Sequence, residues 1–271
     1  MFRMELAASS RFDGTREQPI WKGGAKRFAG SKQGDRAATL FTPASTRKPP
    51  RGICRGMALD VKICGLRTPE AVDAALAGGA THVGFIFFPK SPRHVTPEQA
   101  AALRDRVRGK AQAVAVTVDA GDAQLDEIVA VMRPDMLQLH GRETPERVLA
   151  VKARYGLRVI KALSVGEAAD LARLKPYEGA ADRFLLDAKP PADSELPGGN
   201  GVAFDWSILQ GLEKGADYLL SGGLTPDNVG DALHLASPPG LDVSSGVESA
   251  PGVKDIARIE AFFRAVERSR R

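Results

Sequence analysis

At 271 residues and 43% hydrophobic content, the chain is long enough to bury a sizeable core. It holds no apolar run of roughly 18 residues and opens with no charged, apolar, small-residue leader, so the expectation is a soluble, cytoplasmic protein with no membrane partner. Its net charge of +5 suggests nucleic acid only until it is divided: residues 1–56 carry twelve Lys and Arg against four Asp and Glu, leaving 26 against 29 for residues 57–271.

Residues 1–56 are rich in Gly, Pro, Ser and charge and hold no sustained helical or strand period, so they read as a disordered basic extension. Three explanations stand side by side: a start assigned too early, with Met57 the natural beginning; a targeting segment, weakened by four acidic residues; or an arm for an anionic partner. The two cysteines, Cys54 and Cys64, form no spaced framework, and the histidines do not gather with carboxylates at ligand spacing. Neither disulfides nor a metal site is expected.

From Asp60 onward one unit repeats. VKIC (61–64) leads to the helical pattern TPEAVDAALAGG, HVGFIF (82–87) to TPEQAAALRDRV, AVAVTV (113–118) to GDAQLDEIVAVM, and MLQLH (136–140) to TPERVLAVKARYG. RVIKAL (158–163) leads to VGEAADLARLK, RFLLDA (183–188) to DWSILQGL, YLLSG (218–222) to TPDNVGDALHLA, and LDVSS (241–245) to a last helix near Val253–Glu267. Thr-Pro-Glu occurs three times and Thr-Pro-Asp once, each offering an N-cap hydroxyl, a first-turn proline and a first-turn acid. Eight near-continuous apolar strands mean burial on both faces, so the predicted fold is α/β: a single (β/α)8 TIM barrel over residues 57–271. A doubly wound sheet is the alternative, but KICGLRTPE is no dinucleotide fingerprint.

In such a barrel the strand C-termini and the loops after them share one mouth. Cys64 ends the first strand, Arg93 follows the second, His140 ends the fourth, Asp187 the sixth and Asp242 the eighth. The turns SGGL and SSGVE follow the last two strands, and their Gly222, Gly223, Ser244, Ser245 and Gly246 suit backbone binding of a phosphate ester. The predicted partner is therefore a phosphorylated small molecule. Cys64 taken alone reads as core filling rather than chemistry, and only its place at the end of a strand argues for the second. His140 suits substrate contact or loop bracing equally, whereas Asp242 suits a ribose contact better than a brace. PPADSELPGGNGVAFDW (190–206) reads as a glycine-hinged lid.

In order, KICGLRTPEAVDAALAGGATHVGFIFFPKSPRHV, LQLHG, LLDAK, LLSGGLTPDNV and DVSSGVE resemble the phosphoribosylanthranilate isomerase family of tryptophan biosynthesis, from about Ala58 to the C-terminus. The resemblance implies an Amadori rearrangement of N-(5-phosphoribosyl)anthranilate without metal or organic cofactor. It makes Cys64 the general base, Asp187 the general acid and Arg93 the contact of the anthranilate carboxylate. The thiol of such a base needs activation, and whether Lys62 or Arg67 supplies it is open at this point, as is the choice between monomer and homodimer. A histidine-pathway sugar isomerase would want an aspartate at Cys64; a catalytically retired, phosphate-binding barrel is the non-enzymatic alternative.

Overall fold

The computed structural model describes residues 59–190, 198–199, 201, 203–213 and 215–270. The expected disordered extension, and most of the expected lid, lie outside the described residues.

Alternating strands and helices run as β1 (Asp60–Cys64), α1 (Pro69–Gly78), β2 (His82–Phe87), α2 (Pro97–Val107), β3 (Gln112–Thr117), α3 (Asp122–Met132), β4 (Met136–Leu139), α4 (Pro145–Tyr155) and β5 (Arg158–Val165). A 3-10 helix, Ala168–Tyr177, then leads to β6 (Arg183–Ala188), and another, Trp206–Gly211, to β7 (Tyr218–Leu220). After α5 (Val229–Ala236) and β8 (Gly240–Val243), a short hairpin of β9 (Glu248–Ala250) and β10 (Val253–Lys254) precedes α6 (Ile256–Ser269). Strands β1 to β8 pair in parallel, in chain order, and close when β1 meets β8 with Lys62 opposite Asp242. The expected barrel is what forms.

Alternation along each strand sorts side chains into two compartments. Ile63, Val83, Phe85, Leu137, Val159, Leu186 and Leu241 point outward and pack under the helices. Val114, Val116, Met136, Ile160, Leu185 and Leu219 fill the barrel axis with Cys64. Each fully buried Leu, Ile or Val contributes about 1.5–3 kcal/mol, so these two apolar layers dominate stability. Thr68, Thr96 and Thr144 cap α1, α2 and α4 as expected, each hydroxyl accepting an N–H bond from the third residue on. A cap of this kind is worth about 1 kcal/mol.

Four local expectations fail for identifiable reasons. Thr225 does not cap a helix: its N–H donates to Asn228 Oδ1 and its hydroxyl accepts from Asp227, so the TPD segment is a turn and α5 starts at Val229. VGEAADLARLK winds as 3-10, because Pro176 lacks the N–H that a final α-turn needs and Asp170 Oδ2 accepts bonds from Gly166 and Glu167 at its start. DWSILQGL completes only a short 3-10 stretch before Leu212. The last helix begins at Ile256, since Val253 and Lys254 pair with β9 and Asp255 is its N-cap.

The lower end of the barrel is closed by charge. Arg183 bridges Asp60 and Asp217 at 2.7 and 2.6 Å, and His82 is buried beside them. Burial, then the nearby Arg183 and Lys62 cations, outweigh Asp60 and hold the His82 imidazole down at about 4, against 6.5 ordinarily. A depressed histidine is neutral when folded and takes its proton only on unfolding, so its contribution is present above about 6.5 and is lost as pH falls toward 4. His82 alone predicts a loss of about 2 kcal/mol between pH 7 and pH 5. Urea unfolding at both pH values should show a smaller acid-side loss in His82→Gln than in the unaltered protein.

Candidate active site

At the upper end, residues of β1, β2, β3, β6 and β8 meet the loops that follow the strands in one cleft. Cys64, Arg93, His140, Asp187, Asp242, Gly222, Gly223, Ser244 and Ser245 all line it, so nine of the ten residues singled out from sequence are brought together. Gly246, the tenth, stands behind the wall. A Cβ on it would collide with the Leu224 carbonyl oxygen, so its function is to let the turn after β8 pack on the turn after β7.

Cys64 and Asp187 end β1 and β6, three strands apart around the barrel. The Cys64 side chain is buried against Gly84, where a Cβ would come within 2.8 Å of Sγ and 3.2 Å of Lys62 Cε. Lys62 is 0% exposed and its Nζ donates to Asp242 Oδ1 at 2.7 Å. Burial pushes the Cys64 thiol up; the Lys62 ammonium opposes it, Asp242 adds to it, and Lys254 opposes it more weakly. Burial also disfavours charge on Lys62, but Asp242 and Cys64 outweigh it and hold the ammonium above its ordinary range. Asp242 is thereby committed inside the wall. Its second oxygen accepts from Ser221 Oγ at 3.2 Å, which favours the brace over the ribose contact.

On the facing wall, Asp187 Oδ1 accepts from the Ala188 N–H at 2.9 Å, and Oδ2 lies 3.4 Å from His140 Nε2. Gln138 Nε2 lies 2.8 Å from His140 Nδ1. With that amide donating, a neutral His140 carries its proton on Nε2, toward the carboxylate. Gly198, from the segment expected to be a lid, lies directly over this pair: a Cβ there would come within 2.5 Å of Asp187 Oδ2 and 2.7 Å of His140 Nε2.

Arg93 is less available than its sequence position suggests. Glu248 holds its Nε at 2.7 Å and Nη2 at 2.8 Å, and Nη2 also donates to the Gly199 carbonyl at 3.3 Å, so that side of the fork is already used. Glu248 also accepts from Lys254 Nζ at 2.6 Å, and Lys254 in turn donates to the Ser244 carbonyl at 2.9 Å. Arg93 and Lys254 hold the Glu248 carboxyl below its usual range despite its burial, whereas burial pulls Lys254 down in spite of Glu248. Glu248 and Lys254 were missed as site residues. Their signal was faint: Glu248 closes the motif SSGVE, but only the β9–β10 hairpin returns Lys254 to it.

Gly222 and Gly223 adopt φ of +87° and +65°, and a Cβ on Gly222 would meet the Ala188 nitrogen at 2.6 Å. Asn228 ties this turn by donating to the Gly223 carbonyl at 2.9 Å. Among the described residues no three His, Cys, Asp or Glu side chains group as a metal site. Gly246→Ala should destabilise the fold by about 1–3 kcal/mol through overpacking against Leu224. Gly211→Ala, whose Cβ would sit in ordinary contact with Leu171 at 3.5 Å, should not; denaturant midpoints of the two variants check the contrast.

Residues 61–265 match the family described as N-(5'-phosphoribosyl)anthranilate (PRA) isomerase. The chain is 71% identical over 214 residues to N-(5'-phosphoribosyl)anthranilate isomerase of Mesorhizobium japonicum, covering 79% of this chain and 98% of that one. Its fold is similar to the crystal structure of phosphoribosyl anthranilate isomerase from Thermotoga maritima, with a TM-score of 0.70 and 34% identity over 78% of this chain and 99% of that one. It is also similar, with a TM-score of 0.68, 32% identity and the same coverage, to a phosphoribosyl anthranilate isomerase in complex with reduced 1-(o-carboxyphenylamino)-1-deoxyribulose 5-phosphate. Sequence motifs, barrel and cleft agree with these likenesses, and the chain belongs to the phosphoribosylanthranilate isomerase family of tryptophan biosynthesis.

Proposed function

We propose that this cleft converts N-(5-phosphoribosyl)anthranilate to 1-(2-carboxyphenylamino)-1-deoxyribulose 5-phosphate, with Asp187 as general acid and Cys64 as general base. The observation that carries this reading is one cleft lined by a thiol from β1, a carboxyl from β6 and the glycine turns after β7 and β8. Asp187 gives a proton to the ribose ring oxygen as its bond to C1′ breaks, and the nitrogen lone pair forms the iminium. Cys64, as thiolate, then takes the C2′ proton; the C–H electron pair becomes the C1′–C2′ double bond and the iminium electrons return to nitrogen. The resulting enolamine loses its hydroxyl proton and gains one at C1′, which yields the ketone. His140 Nε2, 3.4 Å from Asp187, faces the carboxylate left behind by the first step.

Substrate placement follows the walls. The phosphate lies on the N–H groups of Gly222, Gly223, Ser244 and Ser245, with Lys254 behind them supplying a cation that neither turn contains. The Arg93 Nη1 end is the donor for the anthranilate carboxylate, held in place by Glu248. The protein acts on this small molecule as a monomer or homodimer in the cytoplasm, without nucleic acid or membrane partner. No helix among the described residues is long and apolar enough to cross a membrane.

Turnover is followed by the loss of substrate fluorescence. Cys64→Ala and Asp187→Asn should each lower kcat by about 100- to 10,000-fold, with smaller changes in KM. Full rate in both variants overturns the assigned roles, and no turnover by the unaltered protein overturns the reaction. Because the thiol is held above its ordinary range, kcat/KM should keep climbing on the alkaline side of neutrality, the base being active only when deprotonated. A chain starting at Met57 should retain the full rate.

A further inference from the structure

We propose that Lys62 is the positioning residue that makes Cys64 usable as a base: its buried ammonium, anchored by Asp242, is the counter-charge against which the Cys64 thiolate forms. This rests on the reading of Cys64 as the base. Lys62 and Cys64 are two residues apart on β1 and so point the same way, into the barrel, where Gly84 of β2 leaves the space that both side chains occupy. Lys62 is 0% exposed and stands opposite Asp242 in the closing ladder, so its ammonium has no route to solvent. An amine this deep is expensive unless it is paired, and a neutral residue of similar length would serve packing as well.

The charges around Cys64 come from few elements. Lys62 lies on its own strand, Asp242 on β8 and Lys254 on β10; β2 offers only the uncharged Gly84, while Asp187 and His140 face it across the cleft from β6 and β4. Lys62 is the cation that most strongly opposes the effect of burial on the thiol, and Lys254 follows. When Cys64 ionises, its S–H bond breaks, the electron pair stays on sulfur and the proton passes to solvent through the open cleft before substrate enters. Asp242 holds Lys62 in place through its hydrogen bond, and the thiolate itself also favours the charged ammonium, so Lys62 keeps one favourable partner when Asp242 is removed; the charge of Asp242 opposes the thiolate. The two partners of the buried pair thus pull the thiol in opposite directions.

That opposition supplies the test. The rate of Cys64 alkylation by iodoacetamide is measured against pH, without substrate, in a Cys54→Ser chain and in the same chain carrying Lys62→Met or Asp242→Asn. Lys62→Met should move the alkylation midpoint upward by at least one pH unit, a tenfold loss of thiolate at a given pH, and Asp242→Asn should move it downward. The midpoint of kcat/KM should move with each. Unchanged midpoints, or midpoints that move together, overturn the proposal, because a purely structural pair would disturb both variants alike. If Lys62→Met does not fold, the Asp242→Asn shift decides alone: downward supports the proposal, and unchanged or upward overturns it. Alkylation requires no turnover, so a failure of Cys64 as the base leaves this readout intact.

Discussion

Closure of the barrel between β1 and β8 is the constraint on which the rest depends, and at its middle Lys62 meets Asp242. A buried ion pair adds little net stability, because removing two charges from water costs about as much as their attraction returns. It does penalise error. Leaving either charge without its partner costs about 3–5 kcal/mol, and a one-residue slip of β1 against β8 would do so while turning every inward side chain outward. The pair therefore acts chiefly on register, and register is what brings Cys64, Asp187 and the two glycine turns to one rim.

Above that pair the charges are segregated. The thiol wall is backed by the cations Lys62 and Lys254, while the acid wall holds Asp187 with His140 and Gln138. Between them runs the chain Arg93, Glu248, Lys254 and Ser244, ending where Ser244 Oγ donates to the Cys64 carbonyl at 3.1 Å. The loop that carries Arg93, the turn after β8 and the end of β1 are thus one hydrogen-bonded body. A substrate reaching from Arg93 to the glycine turns would touch both ends of it.

The barrel was legible because its strands are continuous apolar runs and three of its helices open with Thr-Pro-Glu. The fourth such signal, Thr225-Pro226-Asp227, misled because the Thr225 hydroxyl accepts from Asp227 and Asn228 Oδ1 accepts from the Thr225 N–H, which closes a turn where a first helical turn was expected. Cys64 and Asp187 were readable from strand ends together with a family likeness. Lys62 was visible but undecided, since alternation turns it inward only once closure around β8 is known. Arg93 read as an open fork because its partner Glu248 lies 155 residues away. Side chains defined by their own strand were recoverable; those defined by a partner on a distant loop were not.

The contact at Gly246 reaches beyond the position itself. With the Leu224 carbonyl filling the space where a side chain would begin, the turns after β7 and β8 have matched surfaces and pack as one unit. A change of backbone in either must be met by the other. Transplanting these turns from this barrel to another would therefore require residues 221–225 and 244–248 to move together, because either turn alone would arrive without the surface that shapes it.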